Sequence, residues 1–418
     1  MHEDEAIYAS WALAIRAGDW WLTHTPVDKP PLFFYPLAAS LALFGATEAA
    51  ARLPGLLATG GAALLIFRLV AARSTRRSAL GAALLFLAAP LTQSYAASAF
   101  TDPLMLLLAL ASAERAQRRR ARSSGVLLAL ALLTKPTALV FAPLVLALLD
   151  DDTSLPIPQS LISTLHAFTL ALAAVLLAAW AWDASRYAPS WWMAGARAYG
   201  ELGRPTVSLV AWLRWLFLGL GPLLVGLRAG RRREAPPGRV EGVLAATMLL
   251  FVPVHLLLGL QPWDRYLLPL AALLAIVGGW RLVESARPAV VAALLALPLV
   301  WLTSLGRTEL GGRDGRWAGV AELGAALHTL PAEATVLYEE LGRPLAFYAH
   351  GASARLVWAP DGPTVARALA ASPGQVYVAV RRETLSAYCQ PPLATAERFG
   401  HFVLAPVTGA CRAALLRK

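Results

Sequence analysis

Long runs of uncharged, apolar residues constrain the fold of this chain more than any other feature of its sequence. A helix needs about 20 such residues to cross a bilayer, and a spanning segment must satisfy its backbone hydrogen bonds internally. With 57% hydrophobic and only 15% charged residues, the chain is too apolar for a soluble domain. We therefore predict an α-helical polytopic membrane protein. The runs are Gly55–Ile66, Ala79–Leu91, Val126–Leu133, Leu165–Trp182, Val243–Leu260, Leu267–Trp280 and Pro288–Leu305.

The net charge of +11 reports membrane orientation rather than nucleic-acid binding, because the arginines cluster in short loops between apolar runs. By the positive-inside rule these loops are cytoplasmic. Because orientation already accounts for the positive charge, no nucleic-acid partner is expected. We predict a multi-pass protein of the cytoplasmic (inner) membrane, with its active site and C-terminal domain on the extracytoplasmic side. The clusters are Arg73, Arg76 and Arg77; Arg115, Arg118, Arg119, Arg120 and Arg122; Arg228, Arg231, Arg232, Arg233 and Arg239; and Arg281 and Arg287.

The predicted spans connect these loops with consistent parity only if residues 125–149 do not cross the membrane. Lys135-Pro136 lies at the centre of that segment, where a charge is costly and proline breaks a helix. We therefore expect two short helices, at 125–134 and 137–149, that enter the membrane and return. The remaining helices are expected at 50–72, 79–96, 102–114, 160–182, 208–228, 243–260, 265–282 and 288–305.

The two ends of the chain differ from this helical middle. Residues 306–418 contain strand-like segments such as Ala334–Tyr338 and Gln375–Val380, with a helix near Gly362–Ala371, which predict a small extracytoplasmic α/β domain. Residues 1–305 then form the transmembrane domain. Its first external loop, 1–49, holds the amphipathic stretch Ala6–Arg16.

Polar residues that could carry chemistry gather near the predicted outer face. One carboxylate could activate an acceptor, while others position it or hold a divalent cation against a phosphate. Cations could pair with that phosphate. Two alternatives stay open: Asp102 could merely cap its helix, and the cations could pair with carboxylates or snorkel. The acids are Asp4, Glu5, Asp28 and Asp102, and the cations are Lys29, Arg52, Lys135 and Arg265.

A series of short motifs along residues 1–305 resembles one group of membrane enzymes in both order and spacing. Together they resemble the GT-C membrane glycosyltransferases of the protein O-mannosyltransferase and lipid A aminoarabinose transferase superfamily, which is glycosyltransferase family 39-like. In one motif, proline (Pro136) replaces the family's glycine. The motifs are Asp4-Glu5-Ala6-Ile7-Tyr8, Gly18-Asp19-Trp20, Asp28-Lys29-Pro30-Pro31, Phe44-Gly45, Ala51-Arg52-Leu53-Pro54, Thr101-Asp102-Pro103, Leu133-Thr134-Lys135-Pro136 and Arg265-Tyr266-Leu267-Leu268-Pro269.

The resemblance implies a GT-C-like transmembrane bundle and the transfer of a sugar, hexosyl or pentosyl, from a polyprenyl-phosphate carrier. The acceptor would be a lipid, a glycan or a protein. Asp4 matches the catalytic aspartate, Glu5 is its usual neighbour, and Asp102 matches the second acid. We expect displacement at the anomeric carbon, with Asp4 activating the acceptor. The residues expected to bind substrate are Tyr8, Asp28, Lys29, Arg52, Lys135, Arg265 and Tyr266.

Other features leave alternatives open. His24 and Asp28, with Asp4, could hold a divalent metal ion, and Cys389 and Cys411 are as consistent with free thiols as with a disulfide. A transporter or flippase for a lipid-linked substrate would need polar residues at mid-membrane and internal repeats, and we find no repeat. Family members carry a transmembrane helix ahead of the Asp-Glu motif, whereas here Met1 stands three residues before Asp4. Either the start is misplaced, or the chain is truncated, or the first helix is absent, and a degenerate, non-catalytic homologue is the third hypothesis.

Overall fold

The computed structural model of the chain contains two separate units. One unit consists of residues 1–13, 41–51 and 314–418, and the other of residues 14–40 and 52–313. The structure describes residues 3–150, 157–195, 209–229, 238–257, 262–282, 317–339, 341–359, 361–385, 396–408 and 415. The predicted helix at 288–305, Cys389 and Cys411 lie outside the described residues, and the domain division at residue 305 stays a prediction.

Helices occupy most of the first 282 residues. The α-helices are α1 (Glu3–Arg16), α2 (Phe34–Phe44), α3 (Glu48–Ala71), α4 (Arg76–Ala88), α5 (Pro90–Ala96), α6 (Asp102–Gln117), α7 (Ala121–Leu132), α8 (Ala142–Leu149), α9 (Ile157–Ala184), α10 (Leu209–Ala229), α11 (Arg239–Leu257) and α12 (Leu268–Leu282). Two 3₁₀ helices, Pro136–Phe141 and Asp264–Leu267, lead directly into α8 and α12.

Three of the described helices are long and apolar enough to cross a membrane: α3, the Ile162–Ala184 part of α9, and α11. Helices α4 and α5 make a fourth span if the bent pair is one unit. Helix α9 exposes its apolar side chains, with Leu170 at 70% and Leu177 at 63% of full exposure. Lipid is the solvent that such a surface requires. The chain is therefore a multi-pass membrane protein.

Two proline positions divide helices that the apolar runs alone would leave continuous. The single helix predicted at 79–96 is wrong, because the chain bends by 68° between α4 and α5. Pro90 begins α5 and cannot donate a backbone hydrogen bond across the break. The break predicted at Lys135-Pro136 is confirmed, since α7 ends at Leu132 and a 3₁₀ helix begins at Pro136.

Helix α2 is not predicted by the sequence. Residues 1–49 are predicted to be an external loop with an amphipathic stretch, but besides α1 the structure has the apolar helix α2. Leu37 and Leu41 are fully buried on α2. Its 11 residues are too few to span a bilayer, so no length criterion selects it.

Helix α12 forms the core of the helical unit. Its residues from Leu268 to Val277 are all buried, and it packs against α4 and α10. The approach to α4 is close, since a Cβ at Gly279 would lie 2.5 Å from the Ala82 Cβ.

Helices α6, α7 and α9 pack together in the same unit. The hydroxyl of Ser112 on α6 donates to the carbonyl of Ser124 on α7 at 2.8 Å, and the Ser124 hydroxyl donates to the Ser112 carbonyl at 2.9 Å. Helix α7 approaches α9 so closely that a Cβ at Gly125 would lie 2.3 Å from the Phe168 carbonyl oxygen. These contacts fix the ends of the three helices relative to one another.

The C-terminal part of the other unit is the predicted α/β domain. Its elements are α13 (Val320–Leu327), β1 (Thr335–Tyr338), α14 (Gly342–Tyr348), β2 (Arg355–Trp358), α15 (Gly362–Ala370), β3 (Val376–Arg381), β4 (Glu397–Phe399) and β5 (Phe402–Pro406). The sheet order is β2-β1-β3-β5-β4. β1 is parallel to β2 and β3, whereas β5 is antiparallel to β3 and β4.

Both faces of this sheet are covered, because alternate residues of each strand point to opposite sides. Val336 and Leu404 pack with Leu323 of α13 and Leu345 of α14, while Val378 packs on the other face with residues of α15. Within this unit the Tyr348 hydroxyl also hydrogen-bonds the Glu48 carboxylate, which ties the 41–51 segment to α14.

Candidate active site

A buried ion pair marks the most unusual polar position in the helical unit. The Lys135 ammonium lies 2.5 Å from an Asp102 carboxylate oxygen, and the two side chains are 13% and 2% exposed. Asp102 is the first residue of α6, where the helix dipole also favours a negative charge. The Asp102 carboxylate therefore bonds Lys135 from a helix start rather than serving only as a cap.

The backbone around Lys135 directs its side chain. Lys135 is extended (φ −161°, ψ 129°), as expected for a residue that precedes proline. Its neighbour Leu133 accepts a hydrogen bond from the Leu32 amide at 3.3 Å. The segment containing Lys135 thus adjoins the segment that contains Asp28 and Lys29.

Aromatic rings surround the cations of this cluster. The Lys135 ammonium lies 4.4 Å from the centre of the Tyr266 ring. The Arg265 guanidinium lies 4.8 Å from the Phe100 ring and 5.5 Å from the Trp263 ring. Such contacts stabilise a cation in a setting with little water.

A second buried acid, which the sequence analysis did not select, fixes the position of Arg265. The Tyr95 hydroxyl donates to an Asp264 carboxylate oxygen at 2.6 Å, and the Arg265 amide donates to the same oxygen at 2.8 Å. Asp264 could have been selected from the sequence, because it is an acidic residue in an apolar region and directly precedes the Arg265-Tyr266 motif. Nothing in the sequence pointed to Tyr95, because its partner lies 169 residues away.

His255 lies against this cluster as a buried histidine with its hydrogen bond satisfied. Its Nδ1 is 2.7 Å from the Phe251 carbonyl oxygen. Its ring packs edge-on against Trp212 at 5.1 Å and lies 6.3 Å from Tyr266. These contacts are those of a packed residue.

The loop that carries His24, Asp28 and Lys29 is held at two points. The Asp19 carboxylate accepts hydrogen bonds from the Thr23, His24 and Thr25 amides and from the Thr25 hydroxyl, at 2.6–3.2 Å. Burial raises the pKa of the Asp19 carboxyl, but the hydrogen bonds from Thr25, Thr23 and His24 outweigh it. The pKa of Asp19 therefore lies below its usual value.

The second point is a buried arginine, Arg186, just beyond α9. Its guanidinium donates to the carbonyls of Leu22 and Thr25 and to the Asp183 carboxylate, each at 2.9 Å. The sequence analysis missed Arg186, because two of its partners are backbone atoms that no motif records. The loop is thus anchored to the end of a long helix.

Within this loop the predicted residues have different environments. The Lys29 ammonium lies 2.8 Å from the Asp28 carboxylate, with side chains 25% and 32% exposed. The His24 ring stacks on Tyr187 at 5.5 Å. Across the parts of the chain that the structure describes, no group of three or more His, Cys, Asp or Glu side chains could hold a metal ion. The metal site at His24 and Asp28 stays a prediction.

The remaining predicted residues lie elsewhere. Asp4, Glu5 and Tyr8 are on α1 in the unit that contains the α/β domain; Glu5 and Tyr8 are buried, and the Tyr8 ring lies 5.7 Å from Trp11. Arg52 is on α3, in the helical unit. The catalytic role of Asp4 and Glu5 rests on their motif and stays a prediction.

The structure thus brings four of the motifs together within the helical unit: those of Asp28-Lys29, Asp102, Lys135 and Arg265-Tyr266. The family described as dolichyl-phosphate-mannose-protein mannosyltransferase has a model that matches residues 28–182, which includes three of them. A comparison with curated protein sequences finds no match. The chain has a fold of the GT-C glycosyltransferase class.

Within that class, the chain is similar along almost its whole length to ArnT from Cupriavidus metallidurans. The apo structure of ArnT aligns with a TM-score of 0.68 and 15% identity, covering 97% of this chain and 94% of that one. The structure of the same ArnT bound to undecaprenyl phosphate gives a TM-score of 0.67 at 15% identity, covering 98% and 94%. At this identity the likeness shows the fold.

Proposed function

We propose that this chain is a glycosyltransferase that takes a sugar from a polyprenyl-phosphate carrier at the outer face of the cytoplasmic membrane. Support comes from the fold, the family model and the undecaprenyl phosphate that the similar ArnT binds. The observation that carries the proposal is the buried Asp102–Lys135 pair beneath the Tyr266 ring. Three of the motifs that suggest the function from sequence supply these residues.

The cluster has the chemistry that a carrier phosphate needs. As the sugar leaves, negative charge grows on the phosphate, and a cation held in a dry site stabilises that charge best. Lys135 would bind a phosphate oxygen while Asp102 orients its ammonium group. Arg265 would provide a second, planar donor set. Trp263, which is 43% exposed, provides apolar surface of the kind that suits an isoprenoid chain.

The acceptor side of the reaction is assigned to Asp4. A bond forms between the acceptor oxygen or nitrogen and the anomeric carbon, and the bond from that carbon to the phosphate oxygen breaks. Asp4 takes the acceptor proton, and the carrier leaves as polyprenyl phosphate. Glu5, Tyr8, Asp28, Lys29 and Arg52 are proposed to position the substrates.

Lipid analysis of a strain that lacks this chain tests the proposal. We expect a polyprenyl-phosphate sugar to accumulate, because its consumption is blocked, and mass spectrometry of the extracted lipids would identify the sugar. Expression of the wild type should remove the accumulated lipid. Unchanged levels of every polyprenyl-phosphate sugar would contradict the proposal.

The same strain tests the role of Asp4. Asp4→Asn should fail to remove the accumulated lipid although the protein reaches the membrane in normal amounts, because an amide cannot accept the proton. Glu3→Gln is the matched control, since Glu3 is an exposed acid on the same helix. Full activity of Asp4→Asn would reject Asp4 as the base.

A further inference from the structure

A cationic cavity lies away from the Asp102–Lys135 cluster, where α6 turns into α7. It has a volume of about 500 Å³ and is open to the surface. Its lining comes from the turn before α7 (Arg119, Arg120), the first turn of α7 (Ala121, Arg122, Ser123) and α9 (Ser163, Thr164, Ala167). Three arginines and three hydroxyl-bearing residues therefore line one space, and none of these residues belongs to the proposed sugar-transfer site.

The charges of this turn are unevenly balanced. Arg118 lies 2.7 Å from the buried carboxylate of Glu114, and Arg115 lies 3.6 Å from it. Arg120 and Arg122, by contrast, are exposed and form no ion pair with any residue that the structure describes. Both arginines line the cavity, and no carboxylate among the described residues is paired with them.

The cavity is shaped by fixed backbone rather than by flexible side chains alone. Arg119 adopts a left-handed conformation (φ 60°), which lets α6 turn into α7 within three residues. Its guanidinium donates to the Leu149 carbonyl at 2.6 Å. On the other wall, the contact between Gly125 and Phe168 sets the distance from α7 to α9.

One wall of the cavity continues into a surface that faces lipid. Ser163 and Thr164 belong to α9, and only 6% of the residues in the apolar stretch of this helix are buried. Ile162 and Leu170, on either side of these two residues, are 53% and 70% exposed. A molecule with an anionic head in the cavity could therefore lay hydrocarbon along α9.

We infer that this cavity binds the phosphate headgroup of an anionic membrane phospholipid, with the acyl chains against α9. Guanidinium and hydroxyl groups suit phosphate oxygens, and basic pockets between membrane helices recognise such headgroups. A free phosphate shares the headgroup chemistry but has no use for the apolar wall. The occupant we choose is therefore the phospholipid, held at the end of the α6–α7–α9 packing.

Native mass spectrometry of the full chain tests this inference, with phosphatidylglycerol and phosphatidylcholine added in turn to the delipidated protein. We expect the wild type to retain phosphatidylglycerol in preference to phosphatidylcholine. Arg120→Gln with Arg122→Gln should bind phosphatidylglycerol about 30-fold more weakly, since each arginine near a lipid surface contributes about 1 kcal/mol. Arg120→Lys with Arg122→Lys should retain most of the binding, because the charge remains.

Arg76→Gln with Arg77→Gln is the matched control. These exposed arginines begin α4, outside the cavity, and their loss changes the net charge by the same amount. Equal weakening in the control would show a general charge effect and overturn the inference, as would unchanged binding by the Arg120/Arg122 variant. Displacement of the lipid by inorganic phosphate at equal concentration would also overturn it, because the apolar wall would then contribute nothing.

Discussion

At the scale of single residues, the burial of Lys135 and that of Asp102 each depend on the presence of the other charge. An ammonium in the middle of an apolar segment is costly, and so is a carboxylate that is 2% exposed. Each becomes tolerable because the other lies 2.5 Å away, and the Tyr266 ring lies 4.4 Å from the Lys135 ammonium. The phosphate ligand that we propose for Lys135 would account for a pair that a simple apolar core would avoid.

Removing one member of this pair should destabilise the protein more than removing both. We expect Lys135→Gln to lower the free energy of unfolding by about 3–5 kcal/mol, because Asp102 would stay buried without its cation. Asp102→Asn combined with Lys135→Gln should recover part of that loss. Thermal unfolding of the purified protein measures both.

The Asp28–Lys29 pair provides the control for this comparison. It is 25–32% exposed, so Lys29→Gln should change stability by no more than about 1 kcal/mol. If Lys29→Gln and Lys135→Gln lowered the free energy of unfolding equally, burial of the Asp102–Lys135 pair would not contribute to its effect on stability.

The Asp19 carboxylate should make its loop sensitive to acid. Because the pKa of Asp19 is lower in the folded protein, its stabilisation is complete above the ordinary aspartate value of about 3.9. It is lost as the pH falls through the lowered pKa. Hydrogen exchange of residues 19–25, corrected for the intrinsic effect of pH, should show protection that declines only in that acid range.

Asp19→Asn should remove most of this protection at neutral pH and abolish its acid dependence. Asp361→Asn is the control, because Asp361 accepts a similar amide hydrogen bond, from Thr364, at the start of α15. It should leave exchange in residues 19–25 unchanged. Wild-type protection from Asp19→Asn would show that Arg186 alone holds the loop.

The sequence identified Asp102, Lys135 and Arg265 because each is a charge beside or within an apolar run, although Asp264, next to Arg265, was not selected. The sequence does not indicate Tyr95, because its hydroxyl forms a hydrogen bond with Asp264, a residue that lies 169 positions away along the chain. Arg186 escaped notice for a related reason, because two of its three partners are carbonyl oxygens, which every residue possesses.

At the scale of elements, the apolar runs predicted the positions of most helices, but they predicted the breaks between helices less well. Helices α3, α6, α9, α10 and α11 begin and end within a few residues of the predicted limits. Pro136 was recognised as a break because a lysine precedes it, whereas Pro90 stands in an unbroken apolar run. Helix α2 was missed because it is shorter than a membrane is thick.

Close packing of α7 on α9 depends on a residue without a side chain. Gly125→Ala should destabilise the protein by about 1–3 kcal/mol, because the new Cβ would lie 2.3 Å from the Phe168 carbonyl oxygen and backbone must move. The thermal unfolding temperature of the purified variant measures the loss.

Gly60→Ala is the matched substitution. Gly60 is exposed in the interior of α3, and a Cβ added there would have no other atom within 4 Å outside its own stretch of helix. Alanine at this position should therefore be neutral or stabilising by up to about 1 kcal/mol. A Gly125→Ala variant as stable as Gly60→Ala would contradict the close α7–α9 approach.

At the scale of the whole molecule, the arginine clusters and the α/β domain predict the orientation in the membrane. In a chain with Cys389 and Cys411 replaced by serine, Glu397→Cys should react with a membrane-impermeant maleimide in intact cells. Arg77→Cys should react only after the cells are opened, because its basic loop is predicted to be cytoplasmic. The reverse pattern would contradict the predicted orientation.

The fold class was predictable because hydropathy and ordered motifs both describe the chain at large scale. The assignment of residues 41–51 to the unit of the α/β domain was not, since it depends on contacts such as that of Tyr348 with Glu48. The proposed sugar transfer, by contrast, depends on a few side chains around the carrier phosphate, such as that of Lys135. The proposal is therefore tested best at these side chains.

The most direct measurement incubates the purified protein, in lipid nanodiscs, with the lipid-linked sugar from the deletion strain and a membrane extract as acceptor. We predict that wild type releases free polyprenyl phosphate in the same amount as the sugar transferred. Lys135→Gln, measured on its folded fraction, should be at least about 100-fold slower, as expected for a lost charge contact to the leaving group. Lipid-linked sugar that stays intact with wild type would contradict a glycosyltransferase.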